Sequence, residues 1–354
     1  MNATTGNTEA DRKAGLEQPI LAAENLKKYF PLGGSFFRSQ TAYVKGVDDV
    51  SFDVRKGETL GIVGESGCGK STTARVLIRL LTPDSGVVRI NGKVVGAPDG
   101  ISVRDMRRRV QMVFQDSYAS LNPRLTIEDS VTFGLRANGV PKKAALEKAH
   151  EILGLVGLEP DLFAQRYSHE ISGGQRQRVN IARALALSPE VVILDEAVSA
   201  LDKSVEAQVL NLLQDLKQSL DLTYVFISHD LNVVQYVSDR VMVMYLGKSI
   251  EIGPVEDIYA RPLHPYTRGL LASRLPMDPR RRVQSAPVTG DPPNPVNPPS
   301  GCRFRTRCAW AEHVCAQREP QLTEARGAHR VACHAHIPGS GHSGPAKWEG
   351  VDAD

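Results

Sequence analysis

The run Gly64-Glu65-Ser66-Gly67-Cys68-Gly69-Lys70-Ser71 constrains this chain more than any other stretch of it. It fits G-x-x-x-x-G-K-[ST], the Walker A loop that wraps phosphates. Glycine is needed there because a Cβ would stop successive backbone N–H groups from turning toward one anion. Lys70 reaches the β- and γ-phosphates of a nucleotide, and Ser71 offers its hydroxyl to Mg²⁺. Leu60-Gly61-Ile62-Val63 before the loop reads as a buried strand. After it, Val76, Leu77, Leu80 and Leu81 give residues 72–81 helical spacing. That helix would start with its positive end on the anion. Gly64, Ser66, Gly67, Gly69, Lys70, Ser71 and Thr72 form the candidate phosphate-binding set. Cys68 reads as a small loop residue.

Two more apolar runs, Val191-Val192-Ile193-Leu194 and Tyr224-Val225-Phe226-Ile227, share the pattern of the first. Each is short, continuous and bounded at once by polar or glycine residues, as parallel strands covered on both faces are. Between them Val205, Val209, Leu212, Leu213, Leu216 and Leu220 recur at helical spacing. Strand–helix–strand alternation predicts an α/β fold with a parallel sheet, whose ligands bind at the carboxyl ends of the strands. All three runs end there in residues suited to phosphate chemistry. Asp195 closes the second and is placed to hold Mg²⁺. Glu196 follows it and suits a general base for an attacking water. His229 closes the third, which favours a γ-phosphate contact. Ser172-Gly173-Gly174-Gln175 precedes Val179, Ile181, Ala182 and Leu185, so it reads as a helix start and a second anion site. One nucleotide loop with two anion sites makes sense if two chains meet head to tail, each completing the other's site.

Composition narrows the class. Forty-three Lys and Arg against 40 Asp and Glu leave a net charge of +3 in 354 residues, which argues against a protein built to coat nucleic acid. No apolar run approaches the ~20 residues that span a bilayer. The N-terminal MNATTGNTEADRKAG has no apolar core, so it does not read as a signal peptide, and a cytoplasmic location is expected.

Walker A at 64–71, Gln115 in Val113-Phe114-Gln115-Asp116, the Ser172–Gln175 signature, Asp195-Glu196, Ser199-Ala200-Leu201-Asp202 and His229 stand in an order and spacing that resembles ATP-binding-cassette ATPases over about residues 20–260. The signature separates them from kinases and GTPases. The resemblance implies a P-loop fold with a parallel-sheet core, an antiparallel β subdomain and a helical subdomain, binding ATP and Mg²⁺. It implies that Phe30, with Tyr29 as the alternative, stacks on adenine. Gln115 would help Ser71 and Asp195 ligate Mg²⁺ and sense a transmembrane partner. Glu196 would be the catalytic base and His229 the γ-phosphate switch. Ser172, Gly174 and Gln175 would close on the ATP of a second cassette subunit, with Asp202 beside that site. Two positions depart from the pattern: Ile171 replaces the usual Leu before the signature, and Ala197 the usual Pro after the glutamate. Neither removes a chemical group.

From about residue 261 the composition changes. Prolines 262, 265, 292, 293, 295, 298 and 299 suggest an extended linker, and Cys302, Cys308, Cys315 and Cys333 crowd behind it. In a reducing compartment, widely spaced thiolates suit a [4Fe–4S] cluster or a four-thiolate zinc site, and a segment with so few large apolar residues needs such a staple. Pro299-Ser300-Gly301-Cys302-Arg303-Phe304-Arg305-Thr306-Arg307-Cys308, with Pro262–Thr267 upstream, resembles the C-terminal extension of oligopeptide and dipeptide importer ATPases. That resemblance implies a [4Fe–4S] cluster on the four cysteines. It also implies two separate permease subunits, a paralogous second ATPase, an extracytoplasmic solute-binding protein and a place on the cytoplasmic face of the cell membrane. The expected layout is a tail at 1–20, the cassette at 21–260, linker and cysteine module at 261–337, and a tail at 338–354. Nickel and glutathione importers share the architecture. A soluble cassette ATPase acting on nucleic acid is the rival from another class, with Arg104, Arg107, Arg108 and Arg109 as its candidate patch. A solvated helix face explains those arginines as well.

Overall fold

The computed structural model describes residues 18–32, 42–273 and 290–345. The expected N-terminal tail lies outside these residues up to residue 17, as does part of the proline-rich stretch, but residues 338–345 of the expected C-terminal tail are described and packed, with Ser340 buried and its hydroxyl on the His334 carbonyl at 2.7 Å. Twelve strands are described: β1 (Leu21–Pro31), β2 (Tyr43–Val54), β3 (Thr59–Val63), β4 (Ser85–Ile90), β5 (Lys93–Val94), β6 (Val110–Val113), β7 (Val191–Asp195), β8 (Thr223–Ile227), β9 (Arg240–Tyr245), β10 (Lys248–Pro254), β11 (Thr323–Arg326) and β12 (His329–Val331). They form two sheets. The smaller is antiparallel, in the order β2-β1-β4-β5, and the larger runs β11-β12-β10-β9-β3-β8-β7-β6. From β9 to β6 the larger sheet is parallel. β10, β12 and β11 extend it antiparallel.

The three apolar runs are β3, β7 and β8, adjacent or one apart in the parallel stretch. Their side chains divide by the two-residue period of a strand. Val192, Leu194, Tyr224, Phe226, Val241 and Val243 face one core, shared with helices Ile127–Ala137, Lys142–Leu155, Gly173–Leu185 and Lys203–Ser219. Ile193, Val225, Ile227, Met242 and Met244 face the other, shared with the antiparallel sheet and helix Lys70–Leu77. Burying each such side chain contributes about 1.5–3 kcal/mol. Continuous hydrophobicity is thus the sum of two alternating faces.

Two sequence expectations change. The helix after the phosphate loop stops at Leu77 rather than Leu81. Arg79 adopts a left-handed φ of 56°, and the N–H groups of Leu80 and Leu81 both turn back to the Arg75 carbonyl. The stretch after residue 261 is also more than a linker. Pro265 opens helix Pro265–Ala272 at the position where a missing N–H costs nothing, and β11 and β12 join the main sheet. The buried carboxylate of Glu251 on β10 accepts from Leu263 N at 2.7 Å and His264 N at 3.0 Å, and lies 2.7 Å from His329 Nε2. Two later segments are tied to one strand by that group.

Candidate nucleotide site

The carboxyl ends of β3, β6, β7 and β8 carry the candidate residues to one edge of the sheet. Gly64, Gly67 and Gly69 adopt φ of 149°, 77° and 109°, all left-handed. A Cβ on Gly64 would lie 2.2 Å from the Met244 carbonyl, and one on Gly69 would lie 2.2 Å from the Gly46 carbonyl. The loop is therefore threaded between β9 and β2 with no room for side chains at those points. Ser66 and Gly67 are exposed at its tip, while Lys70 is buried. The Lys70 ammonium donates to Gly64 O at 2.7 Å and Glu65 O at 3.1 Å, across the mouth of the loop. Cys68 is buried, and burial raises its thiol pKa.

Ser71 opens helix Lys70–Leu77, with Thr72 half-buried beside it. The Ser71 hydroxyl donates to Asp195 Oδ1 at 2.9 Å. Burial raises the Asp195 pKa against the lowering effect of that hydrogen bond, and neighbouring Glu196 raises it further. A divalent cation beside these two oxygens would relieve both costs, so the donor set fits Mg²⁺. Gln115, just past β6, donates through Nε2 to Glu196 Oε2 at 2.8 Å, and His229 Nδ1 stands 3.4 Å from the same oxygen. Residues from two strand ends thus converge on one carboxylate oxygen carried by a third. Glu196 itself has a left-handed φ of 48°, held by its N–H to the Ile227 carbonyl at 2.9 Å. Such strain persists only where surroundings enforce it. The turn after it closes without the usual proline: Ser199 N and Oγ both donate to the Glu196 carbonyl, and Ala197 is buried.

Phe30 packs on Gly46, where a Cβ would come within 2.9 Å of its ring, and Gly46 in turn abuts Gly69. This places Phe30 one residue layer from the phosphate loop. Tyr29, the alternative, spends its hydroxyl on Asp48. The Ser172 hydroxyl accepts from Gln175 N at 3.3 Å while the Gln175 side chain accepts from Ser172 N at 2.9 Å, a reciprocal cap of helix Gly173–Leu185. Gly174 is small for a local reason: a Cβ would meet Val205 Cγ1 at 2.4 Å. Asp202 caps helix Lys203–Ser219, accepting from Val205 N at 3.0 Å, which lowers its pKa.

Three arginines of the cluster bond neighbouring elements: Arg107 donates to the Ile78 and Arg79 carbonyls, Arg108 to Asn138 and Arg109 to Glu190. Arg104 is exposed.

Sequence reasoning missed a second layer around the loop. Glu65 N donates to the Tyr266 hydroxyl at 2.8 Å, and Arg307 grips the Glu65 carboxylate. Tyr245, Tyr266 and Phe304 pack ring on ring beneath, with centroids 4.7–5.5 Å apart. Tyr266 and Arg307 fall within the C-terminal motif stretches, but no local spacing links residue 65 to residues 266 and 307.

Cys302, Cys308, Cys315 and Cys333 are free thiols in one module. Burial raises the pKa of Cys302 to about 11 and of Cys308 to about 12, and raises that of Cys333 as well. Their mutual charges add to the effect, with Cys333 feeling the other three. Among the described residues, however, no three His, Cys, Asp or Glu side chains are gathered as a metal-holding group. The four thiols thus share a module, but the described residues do not gather them as the expected ligand set. No helix among the described residues is long and apolar enough to cross a membrane.

Residues 47–199 match the ABC transporter family, and residues 250–315 match the oligopeptide/dipeptide transporter C-terminal region. The chain is 47% identical over 328 residues to the oligopeptide transport ATP-binding protein AppF of Bacillus subtilis, covering 91% of this chain and 99% of that protein. It is 49% identical over 318 residues to a putative peptide import ATP-binding protein of Brucella ovis, covering 90% and 98%. Among solved structures, cbiO1 from Clostridium perfringens, part of an ABC transporter complex, superposes with a TM-score of 0.58 at 27% identity, covering 69% of this chain and 92% of that one. A dimeric ATP-binding cassette in a post-hydrolysis state with ADP and phosphate gives 0.56 at 27% identity, covering 66% and 98%. The strand-end convergence and these full-length matches agree: the chain belongs to the ATP-binding subunits of ABC transporters, in the oligopeptide/dipeptide group, and is an ATPase.

Proposed function

We propose that the chain is the motor subunit of an importer of oligopeptides or dipeptides. The observation that carries this reading is the near-complete coverage of peptide-import ATPases at 47–49% identity, cysteine-bearing C-terminal region included. Lys70 and the loop N–H groups would bind the triphosphate, and Ser71 and Asp195, with Gln115 adjacent, would hold a Mg²⁺ that would supply charge neutralisation on the phosphates. Glu196 takes the proton of the attacking water, oriented by Gln115 and His229 on its Oε2. Ser172 is exposed, and Gly174 and Gln175 are half-buried. We read them as the surface that meets the ATP of a paralogous subunit, with Phe30 stacking on adenine.

Partner docking is supported by large apolar side chains left exposed on the helical part. Phe133 and Leu162 are 65% and 60% exposed, and Tyr118 beside the Gln115 loop is 57% exposed. Two permease subunits on the membrane's cytoplasmic face would cover such residues, and an extracytoplasmic solute-binding protein would deliver the peptide. Reconstituted with permeases in vesicles, the complex is expected to raise its ATP turnover several-fold when a peptide-loaded binding protein is added. Stimulation by nickel or glutathione with none by peptides would overturn the substrate class.

The four cysteines are read as ligands of a [4Fe–4S] cluster, with zinc as the alternative. Support comes from the donor chemistry and from four buried or half-buried thiols in one module, since a bound cation would turn disfavoured thiolates into stable ligands. Anaerobically purified protein is expected to carry about four irons per chain, matching the four cysteine ligands of such a cluster. One zinc per chain would replace the cluster reading, and neither metal would end both.

A further inference from the structure

The phosphate loop carries a carboxylate of its own. Glu65 is the second residue of the motif, so its charge stands beside the place where a triphosphate must sit. The structure answers that charge from the far end of the chain. Arg307, one residue before Cys308, is 7% exposed and donates to both oxygens of Glu65: Nη1 to Oε2 at 3.0 Å and to Oε1 at 3.2 Å, and Nη2 to Oε1 at 3.2 Å. Its Nη1 also reaches the Tyr245 hydroxyl at 3.5 Å. Arg307 is itself fixed, since its N–H donates to the Phe304 carbonyl at 2.9 Å and Phe304 is wedged among Tyr245, Tyr266 and His264. Four residues earlier, Arg303 bonds the Leu246 carbonyl and Asp48, beside the Gly247 and Gly46 backbone on which Gly69 rests. The cysteine module thus holds the phosphate loop at both ends.

We propose that Arg307 is a positioning residue of the ATPase. It neutralises Glu65 and fixes the loop backbone, so that the cysteine module acts as a clamp in cis on nucleotide affinity. The inference rests on the assignment of residues 64–71 as the ATP site. The fork is charge-assisted, with Arg307 nearly buried and the Glu65 side chain 28% exposed, and loss of Arg307 leaves the carboxylate beside the phosphate site without its counter-charge.

The test is ATP affinity by calorimetry in the full-length chain, carrying Glu196→Gln to suppress turnover. Arg307→Ala is expected to weaken ATP binding about 10- to 100-fold. Adding Glu65→Gln to Arg307→Ala should restore affinity to within about threefold of the parent, because the unanswered charge is then gone. Arg307→Lys keeps the charge and most of the volume but not the fork, and should weaken binding about three- to tenfold without lowering the melting temperature appreciably. Unchanged affinity in Arg307→Lys and Arg307→Ala, or a double variant no better than Arg307→Ala, would overturn the clamp. A parent chain that binds no ATP would overturn the site assignment, and the clamp with it. A purely structural Arg307 would lower stability in both single variants and show no rescue by Glu65→Gln.

Discussion

Glu196→Gln is expected to bind ATP as well as the wild type and to hydrolyse it about 10²- to 10⁴-fold more slowly, the usual worth of a positioned general base. The amide keeps the shape of the side chain and can still meet Gln115 and His229, but it cannot take a proton. The left-handed φ of 48° at Glu196 is unchanged by the substitution, so folding should be unaffected. Gln115 and His229 both lie against Oε2 and hold the side chain in place. Steady-state phosphate release alongside an ATP binding isotherm separates the two effects. Wild-type turnover in the assembled Glu196→Gln complex would show that another group takes the proton.

Gly69→Ala is expected to abolish measurable nucleotide binding, a loss of about 100-fold or more, through geometry rather than charge. Gly69 has a φ of 109°, and its Cβ would lie 2.2 Å from a backbone oxygen that cannot rotate away. Relief requires the loop to leave β2, which moves Lys70 and Ser71 off the phosphates together. Gly67→Ala is the control. Gly67 also has a positive φ, 77°, but a Cβ there meets nothing within 4 Å, so its stability cost is the backbone strain alone, on the order of 1 kcal/mol. Melting curves and ATP titrations of the two variants should differ sharply. Equal ATP affinity in Gly69→Ala and wild type would show that the loop does not bind phosphate in the observed shape.

The strand-end residues were legible because each follows directly on an apolar run or a glycine-rich turn. Lys70, Ser71, Asp195, Glu196 and His229 all fall where local pattern alone puts them at the ligand edge. Gln115 was legible only through resemblance, since the short Val110–Val113 strand has little signal of its own. The antiparallel half of the larger sheet was not legible. Thr323–Arg326 is an exposed, charged strand of four residues, and its place depends on pairing with a strand that pairs in turn with residues 250–252. Proline content misled at 261–272, because the rule that proline breaks helices does not apply to a first position. Glu65 carries no assigned role in the motif, and only the fold brings Arg307 to it.

The order of synthesis gives the last strands a particular weight. β10 is hydrogen-bonded to β9 on one side, and its other side is covered by β12, with Ala332 N adding a bond to the Ile250 carbonyl. Until residues 329–332 emerge from the ribosome, a strand whose residues 249–253 are buried in the finished protein presents an open row of backbone donors and acceptors. The nascent cassette therefore carries a sticky edge for some 80 residues of translation, and a truncated product would carry it permanently.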